Sequence, residues 1–243
     1  MASGNDSLAV LIDADNAQAA NIRDLLGEVS RYGRATVKRC YGDWTTPHLQ
    51  KWKAYLNELA IQPIQQFAYT SGKNSTDSAL IIDAMDLLYS GGLNGFCLVS
   101  SDSDFTRLAS RIREAGLAVY GFGERKTPQA FVAACDKFIY TEILKPGEEA
   151  KSEGDVEPLE PLLRNAVMAT QRDDGWSTLS SVGSIIAKNN PSFDSRNYGF
   201  QKLGELVRKQ TYLTVREEGG EGSSNVRIYV RTKATRRRKK QTQ

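Results

Sequence analysis

Short apolar runs alternate with longer stretches of helical spacing along the first part of the chain. Five runs predict strands: 8–12, 34–41, 61–69, 95–100 and 117–123. The first and fourth are nearly continuous in apolar character, and the second has strand character. Five stretches that follow these runs predict helices: 16–33, 46–60, 76–90, 104–116 and 128–135. Continuous apolar strands are typical of a parallel sheet whose two faces are both covered by helices. The alternation therefore predicts an α/β fold with a parallel sheet.

The hydrophobic pattern changes after a charged stretch that contains glycine and proline, 145–161. Three predicted helices come first: 159–171, 179–189 and 195–209. Two alternating strands follow, 212–217 and 226–232. Three helices and a β-hairpin predict a small α+β winged-helix domain. We expect four parts in the chain: a first domain at 1–146, a linker at 147–157, a second domain at 158–232 and a tail at 233–243.

Charge is spread unevenly along the 243 residues, although the formal net charge is only +3. Residues 147–160 contain six acidic residues and one lysine. Residues 231–240 contain seven basic residues and no acidic one. Such a basic segment contacts phosphates through charge, without reading sequence. A solvated tail without a partner is the alternative.

The cysteines and the apolar runs indicate the compartment. Cys40, Cys97 and Cys135 are odd in number and widely spaced, which favours free buried thiols in a reducing environment. No apolar run approaches the 18 residues of a membrane-spanning helix, and residues 1–7 lack the apolar core of a signal peptide. We therefore expect a cytoplasmic protein without a membrane segment.

Carboxylates follow the predicted strands where a parallel sheet opens to ligands. Asp13 and Asn16 come after the first strand, and Asp102 and Asp104 come after the fourth. Asp77 starts the helix after the third strand, on the same face as its buried residues. Ligands of open α/β sheets bind beyond the carboxyl ends of the strands. The four aspartates are therefore predicted to converge on one crevice.

A divalent cation would remove the repulsion between carboxylates held so close together. Oxygen ligands without histidine or cysteine favour Mg²⁺ or Mn²⁺ over zinc. Such an ion activates water and stabilises charge on a phosphodiester. Helix capping is the alternative role for Asp13, Asp77 or Asp104 taken alone. Asp83 and Asp86 are predicted to face solvent from the far side of their helix.

Three stretches of the first domain resemble the NYN domain, a PIN-like nuclease group: LIDADNA, GKNSTDSALIIDAMDLL and LVSSDSDFTRLASRIREAG. The resemblance covers about 6–145 and implies a PIN-like fold, a metal-dependent ribonuclease site and often a homodimer. It implies that Asp13, Asp77, Asp102 and Asp104 bind the metal and that Asn16 orients a ligand or water. It further implies that Ser100 positions the acidic loop and that Lys73 meets a phosphate. Arg125 and Lys126, after the fifth strand, are candidate phosphate contacts from position alone.

The second domain resembles the OST-HTH, or LOTUS, domain through FDSRNYGFQKLGELVRK and the YLTVRE that follows. That resemblance implies RNA binding or, in some members, docking of a helicase. Five basic residues are candidates for an RNA-binding face: Lys188, Arg196, Lys202, Arg208 and Lys209.

Two other functions remain open at this point. LIDADNA is similar to the opening motif of HAD phosphatases, in which the first aspartate attacks phosphorus and the second is the general acid and base. The spacing after Asp15 departs from that motif, and Asp77 has no role in it. Alternatively, the protein is a non-catalytic RNA-binding adaptor that retains an acidic site.

Overall fold

The structure is a computed structural model that describes residues 6–67, 75–144, 157–218 and 226–233. The chain separates into two compact units, Met1–Glu149 and Ala150–Gln243. Each unit has its own sheet and its own hydrophobic core. The two units are therefore described one at a time.

The first unit contains a six-stranded sheet in which every neighbouring pair is parallel. Its strands are β1 (Ser7–Asp13), β2 (Arg34–Gly42), β3 (Gln62–Gln65), β4 (Gly95–Val99), β5 (Ala118–Gly123) and β6 (Lys137–Tyr140). Its helices are α1 (Ile22–Val29), α2 (Trp52–Glu58), α3 (Ser75–Ser90), α4 (Thr106–Glu114) and α5 (Gln129–Ala134). Short 3₁₀ turns lie at Ala19–Asn21, Pro47–Lys51, Ser103–Phe105 and Thr141–Leu144. The predicted α/β fold with a parallel sheet is confirmed.

The strand order, β3-β2-β1-β4-β5-β6, places β1 and β4 side by side at the centre of the sheet. The connections run outward from this pair in opposite directions, so the loops after β1 and β4 part from each other. A crevice forms at such a switch point, beyond the carboxyl ends of the strands. The topology thus brings the segments that follow Asp13 and Val99 to one place.

Alternate residues of the central strands pack into two separate cores, one on each face of the sheet. Leu11 of β1 packs with Leu80 of α3 on one face. Ile12 packs with Ile22 and Leu25 of α1 on the other face. All of these side chains are buried. Burial on both faces explains why the strands are apolar without alternation.

Several element boundaries differ from the prediction. The sequence missed β6, because its four residues form too short an apolar run to stand out between two turns. Within the described residues, the predicted strand 61–69 is a strand only over β3, which lies at the sheet edge and contains Pro63, where a missing N–H does least harm; residues 68–69 lie outside the described residues. The predicted helix 16–33 is α-helical only over α1, because the residues before it form a turn around Asp13.

In its described residues, the second unit has three α-helices and a three-stranded antiparallel sheet. The helices are α6 (Leu159–Thr170), α7 (Leu179–Asn189) and α8 (Leu203–Arg208), and the strands are β7 (Ser177–Thr178), β8 (Leu213–Glu218) and β9 (Arg227–Thr232), in the order β7-β9-β8. The predicted α+β winged-helix order is present, with β7 as an addition. The predicted helix 195–209 is interrupted: a 3₁₀ turn, Ser195–Tyr198, ends at Gly199 with φ +80°, a conformation that glycine adopts readily.

Candidate metal centre

Asp13, the last residue of β1, is fully buried and holds together the two loops that leave the central strands. Its Oδ1 accepts hydrogen bonds from the backbone N–H groups of Asp15 (3.1 Å) and Asn16 (3.3 Å). Its Oδ2 accepts from Asn16 Nδ2 (2.7 Å) and from Ser100 Oγ (2.8 Å). Ser100 Oγ in turn accepts from the backbone N–H of Asp102 (3.0 Å). The position of Asp102 is therefore connected, through Ser100, to β1.

The acidic loop after β4 is also fixed by its own local structure. The chain passes from buried Val99 through buried Ser100 and Ser101 before it reaches solvent at Asp102. Asp102 caps the turn Ser103–Phe105, because its Oδ1 accepts from the backbone N–H of Asp104 (2.9 Å). The sequence left a capping role open for Asp13, Asp77 and Asp104, whereas the residue that caps this turn is Asp102.

Three carboxylates meet above this loop. One oxygen each from Asp77, Asp102 and Asp104 lies within 4.8 Å of the other two. Asp77 is in the first turn of α3 and is half-buried, as is Asp102, whereas Asp104 is exposed. Asp13 is not a member of this group, although its charge raises the pKa of Asp77 and it therefore lies close by.

The pKa values of the aspartates reflect how close together their charges lie. The pKa of Asp77 is raised from 3.8 to about 6, most strongly by burial and then by the negative charges of Asp13, Asp102, Asp104 and Asp15. Burial also raises the pKa of Asp13, while the hydrogen bonds from Asn16 and Ser100 oppose that shift. Like charges in a partly dry site favour the protonated form. A bound cation would reverse this preference.

The donor set fits a hard divalent cation. Each of the three residues offers a carboxylate oxygen, and within the described ranges no histidine or cysteine joins the group. Mg²⁺ and Mn²⁺ prefer such ligands, and Mg²⁺ is commonly held by few carboxylates while it retains water. Three carboxylates at the rim of an open crevice are therefore suited to an ion that must also meet a substrate.

Residues 7–144 match the NYN domain family, whose members are PIN-like nucleases, over more than half of the chain. The chain belongs to the NYN family. Residues 154–224 match the OST-HTH/LOTUS domain, an RNA-binding module. Both resemblances seen in the sequence are confirmed, and the first unit is from here on called the NYN domain and the second the OST-HTH domain.

Three solved structures are similar to parts of the chain. A protein of unknown function from Vibrio parahaemolyticus is 18% identical, with a TM-score of 0.47, over 57% of this chain and 94% of its own. An uncharacterised protein from Nitrosomonas europaea is 30% identical over 37% of this chain and 87% of its own, with a TM-score of 0.30. A protein fragment from Chromobacterium violaceum is 34% identical over 40% of this chain and 100% of its own, with a TM-score of 0.27. No curated protein matches the sequence.

The remaining predicted residues of the NYN domain lie in different surroundings. Ser100 is buried and its hydroxyl serves Asp13 and Asp102, so it holds the acidic loop in place. Asn16 is exposed, and its side chain donates a hydrogen bond to Asp13. Lys126 is 72% exposed and pairs with Glu124 (2.7 Å), and the guanidinium of Arg125 lies over the ring of Tyr140. Lys73 lies outside the described residues.

The structure also places two residues that sequence reasoning missed or misplaced. His48, the only histidine of the chain, lies 3.1 Å from Asp15 Oδ1 through its Nε2, at the side of the loop after β1. Asp83 was predicted to face solvent, and that is wrong: its carboxylate accepts hydrogen bonds from Arg39 and from the hydroxyl of Tyr41. Arg39 and Tyr41 belong to β2, whose position beside α3 cannot be deduced from helical spacing alone.

The predicted basic residues of the OST-HTH domain are not equivalent. Lys188, Lys202 and Lys209 are exposed. The side chain of Arg196 is only 17% exposed and donates hydrogen bonds to Asp194 from Nε (3.0 Å) and Nη2 (2.8 Å). Arg208 pairs with Glu217 on β8. Arg196 therefore stabilises the turn that begins at Asp194 rather than extending an exposed face.

The cysteines agree with a further expectation. Cys40, Cys97 and Cys135 are free and buried. In the part of the chain that the structure describes, no helix has the length and apolar character needed to cross a membrane.

Proposed function

We propose that the NYN domain hydrolyses RNA phosphodiester bonds with the help of Mg²⁺ or Mn²⁺ held by Asp77, Asp102 and Asp104. One observation carries the proposal: the oxygens of these three carboxylates lie within 4.8 Å of one another at the switch point of the sheet. The family supplies the reaction class, because NYN domains are PIN-like nucleases. The OST-HTH domain supplies the substrate class, because it is an RNA-binding module.

Each residue near the acidic group has its own role in the proposed reaction. When bound, a divalent ion lowers the pKa of a water nucleophile and stabilises charge on the phosphate oxygens. Asp77 is ionised and ready to act as a ligand only above about pH 6, the value to which its pKa is raised. Asp102 is held in place by its capping bond, and Ser100 holds the loop from below. Asn16 orients a ligand or water, and Lys73, Arg125 and Lys126 contact phosphates.

Asp13 has a distinct part in this proposal. Both of its oxygens already accept two hydrogen bonds, so direct ligation of a metal requires at least one of those bonds to be given up. Its direct ligation stays a prediction of the family resemblance. Without moving, Asp13 adds negative charge beside Asp77 and holds the loops after β1 and β4 at a fixed separation.

The two alternatives fit the geometry less well. A HAD-like mechanism needs Asp13 to present an oxygen to phosphorus, but Asp13 has no exposed surface and both oxygens are engaged. A purely RNA-binding adaptor does not need three carboxylates that repel one another at the crevice. The adaptor remains the outcome to be distinguished by experiment.

The test is incubation of the full chain with labelled single-stranded RNA, or with DNA of the same sequence, in Mn²⁺, Mg²⁺ or EDTA. The variant Asp102→Asn/Asp104→Asn runs beside the unchanged protein. Asp86→Asn is the matched control, because Asp86 is an exposed aspartate on α3 outside the acidic group. We expect cleavage of RNA in Mn²⁺ or Mg²⁺, no cleavage in EDTA, and a loss of at least about 100-fold in the double variant only.

RNA binding without cleavage in either metal would contradict the proposal and favour the adaptor. Equal cleavage by the unchanged protein and the double variant would place the chemistry elsewhere. The boundaries 1–146, 147–157, 158–232 and 233–243, the cytoplasmic location, the homodimer and the helicase partner all stay predictions.

A further inference from the structure

Trp176 lies at the end of a tight turn that leads into β7 of the OST-HTH domain. Gly175 donates its backbone N–H to Arg172 O (2.8 Å), and Arg172 donates its own to Trp176 O (3.0 Å). The backbone N–H of Trp176 donates to Asp174 Oδ1 (3.0 Å). Gly175 has φ +79°, so the turn depends on glycine at that position. The indole is thus attached to a backbone that is held at several points.

Two guanidinium groups stack on this single indole. The Cζ atoms of Arg216 and Arg231 each lie 4.7 Å from the centroid of the Trp176 ring. Arg216 also lies 5.2 Å from the ring of Tyr229. Stacking on an aromatic face holds a guanidinium plane in position while the N–H groups at its edge point outward.

The stacked residues share one face of the antiparallel sheet. Tyr229 and Arg231 are two residues apart on β9, and successive side chains of a strand point to opposite faces. Arg216 is the cross-strand partner of Tyr229, and Thr214 is the partner of Arg231. The residues of β9 on either side of Tyr229, Ile228 and Val230, pack into the core. The other face of the sheet therefore carries the stack, and we call it the Trp176 face, comprising Trp176, Thr214, Arg216, Tyr229 and Arg231.

Positive charge on the Trp176 face exceeds the negative charge that balances it. Arg216 pairs with Glu218 (2.8 Å). Arg231 is exposed and forms no ion pair with any residue in the described ranges. Two like charges on one ring repel each other, and an anion on the face would remove that cost. Beyond β9 the sequence continues with five further bases between 236 and 240.

We infer that the Trp176 face binds the phosphodiester backbone of single-stranded RNA through Arg216 and Arg231. The inference rests on the proposed function and specifies which surface of the OST-HTH domain meets the substrate. Planar guanidinium groups donate two parallel hydrogen bonds to phosphate oxygens, and the stack orders them before the ligand arrives. The surface differs from the predicted basic residues of the helices, Lys188, Lys202 and Lys209.

Fluorescence anisotropy with a labelled single-stranded RNA tests the assignment in the full chain. The measurements are made in EDTA, so that the RNA is not cleaved, over a series of NaCl concentrations. We expect Arg216→Gln/Arg231→Gln to raise Kd by roughly tenfold and to reduce the salt slope by about 1.4, since each phosphate contact contributes about 0.7. Lys188→Gln/Lys209→Gln removes two charges from the competing surface and is measured beside it.

A second variant leaves the stack intact and guards against misfolding of the first. Thr214→Glu introduces a carboxylate opposite Arg231, where an opposite charge across the strands is tolerated. We expect it to raise Kd by about threefold and to lower the salt slope by about 0.7. Thr214→Gln, of the same size without the charge, is the matched control and keeps the original Kd. Thermal unfolding shows that each variant is folded.

Losses confined to the Arg216/Arg231 variant and to Thr214→Glu support the inference. An unchanged Kd in these variants, or an equal loss in the lysine pair, overturns it. Cleavage of RNA in Mn²⁺ is measured separately for each variant. If the Arg216/Arg231 variant binds and cleaves RNA like the unchanged protein, this inference is wrong and the proposed nuclease function is still supported. If the unchanged protein does not bind RNA, both the inference and the RNA-binding part of the proposed function are wrong.

Discussion

At the scale of single residues, Asp77 has the largest electrostatic conflict in the acidic group. Its pKa in the folded protein is raised from 3.8 to about 6, chiefly by burial and then by four neighbouring aspartates. A group whose folded pKa lies above its unfolded value contributes stability at low pH, and that contribution is lost as the pH rises through the folded pKa. The metal-free protein is therefore strained at Asp77 above about pH 6.

We expect Asp77→Asn to raise the Tm of the metal-free protein at pH 7.5 by a few degrees, because the variant has no charge to repel its neighbours. The difference in Tm should shrink toward zero near pH 4, where Asp77 is protonated in the unchanged protein. Differential scanning calorimetry in EDTA at the two pH values measures both. Asp86→Asn, on the same helix, should show no such pH-dependent difference; a lower Tm for Asp77→Asn at pH 7.5 would contradict the prediction.

Asp13 should respond in the opposite direction, although it lies beside the same group. Asp13→Asn places an NH₂ group where Asn16 Nδ2 or Ser100 Oγ now donates, so a buried donor faces another donor. We expect the free energy of unfolding to fall by about 1–3 kcal/mol, as for a buried hydrogen bond that is lost. Urea unfolding in EDTA measures this change. An unchanged midpoint would mean that the four bonds of Asp13 do not hold the loops.

At the scale of elements, the end of β5 supports the acidic loop from the side. The backbone N–H of Ser100 donates to Phe122 O (3.0 Å), and Glu124 N–H donates to Ser101 Oγ (2.8 Å). Between these contacts, a Cβ on Gly123 would lie 2.6 Å from Ser100 O and 2.7 Å from Thr127 Oγ1. The absence of a side chain at Gly123 therefore sets how closely β5 approaches the loop that carries Asp102 and Asp104.

We expect Gly123→Ala to lower the free energy of unfolding by about 1–3 kcal/mol, because the loop after β4 must shift to accommodate the methyl group. The same shift should reduce the rise in Tm that saturating Mn²⁺ produces. Gly121→Ala is the matched control: its Cβ would meet Phe138 and Cys135 in the core, at 2.4 and 2.8 Å, away from the acidic loop. That variant should lose stability and keep its response to Mn²⁺. If Mn²⁺ raises the Tm of both variants equally, Gly123 does not influence the acidic group.

At the scale of the whole molecule, the basic tail is predicted to add affinity for RNA that is separate from the OST-HTH domain. Residues 234–243 lie outside the described structure and contain five bases. Removal of this segment should flatten the salt dependence of RNA binding, by up to about 0.7 in slope for each base that contacts a phosphate. Anisotropy over a salt series measures the slope. Removal of 241–243 alone, which carries no charge, is the control, and an unchanged slope after the full truncation would assign the tail no role.

The strands and the central acidic motifs were predictable because burial on both sides of a sheet leaves a strong local pattern. The runs around Leu11 and Leu98 are continuous in apolar character for that reason, and the aspartates follow directly at the strand ends. Edge elements were less visible. Strand β6 is only four residues long and was missed, whereas β3 was predicted but made too long, because its apolar residues continue beyond the four that pair with β2. The break at Gly199 depends on one positive φ angle, which helical spacing does not register.

The sequence by itself determined the class of fold, the family of each unit and the chemical character of the site, because these depend on residue types and their spacing. Only the tertiary structure decided which carboxylates meet. It grouped Asp77 with Asp102 and Asp104 and engaged Asp13 in hydrogen bonds beneath them, because oxygen-to-oxygen distances depend on loops from different strands. It likewise stacked Arg216 and Arg231 on Trp176, since residues far apart in sequence become neighbours only through the register of β8 and β9.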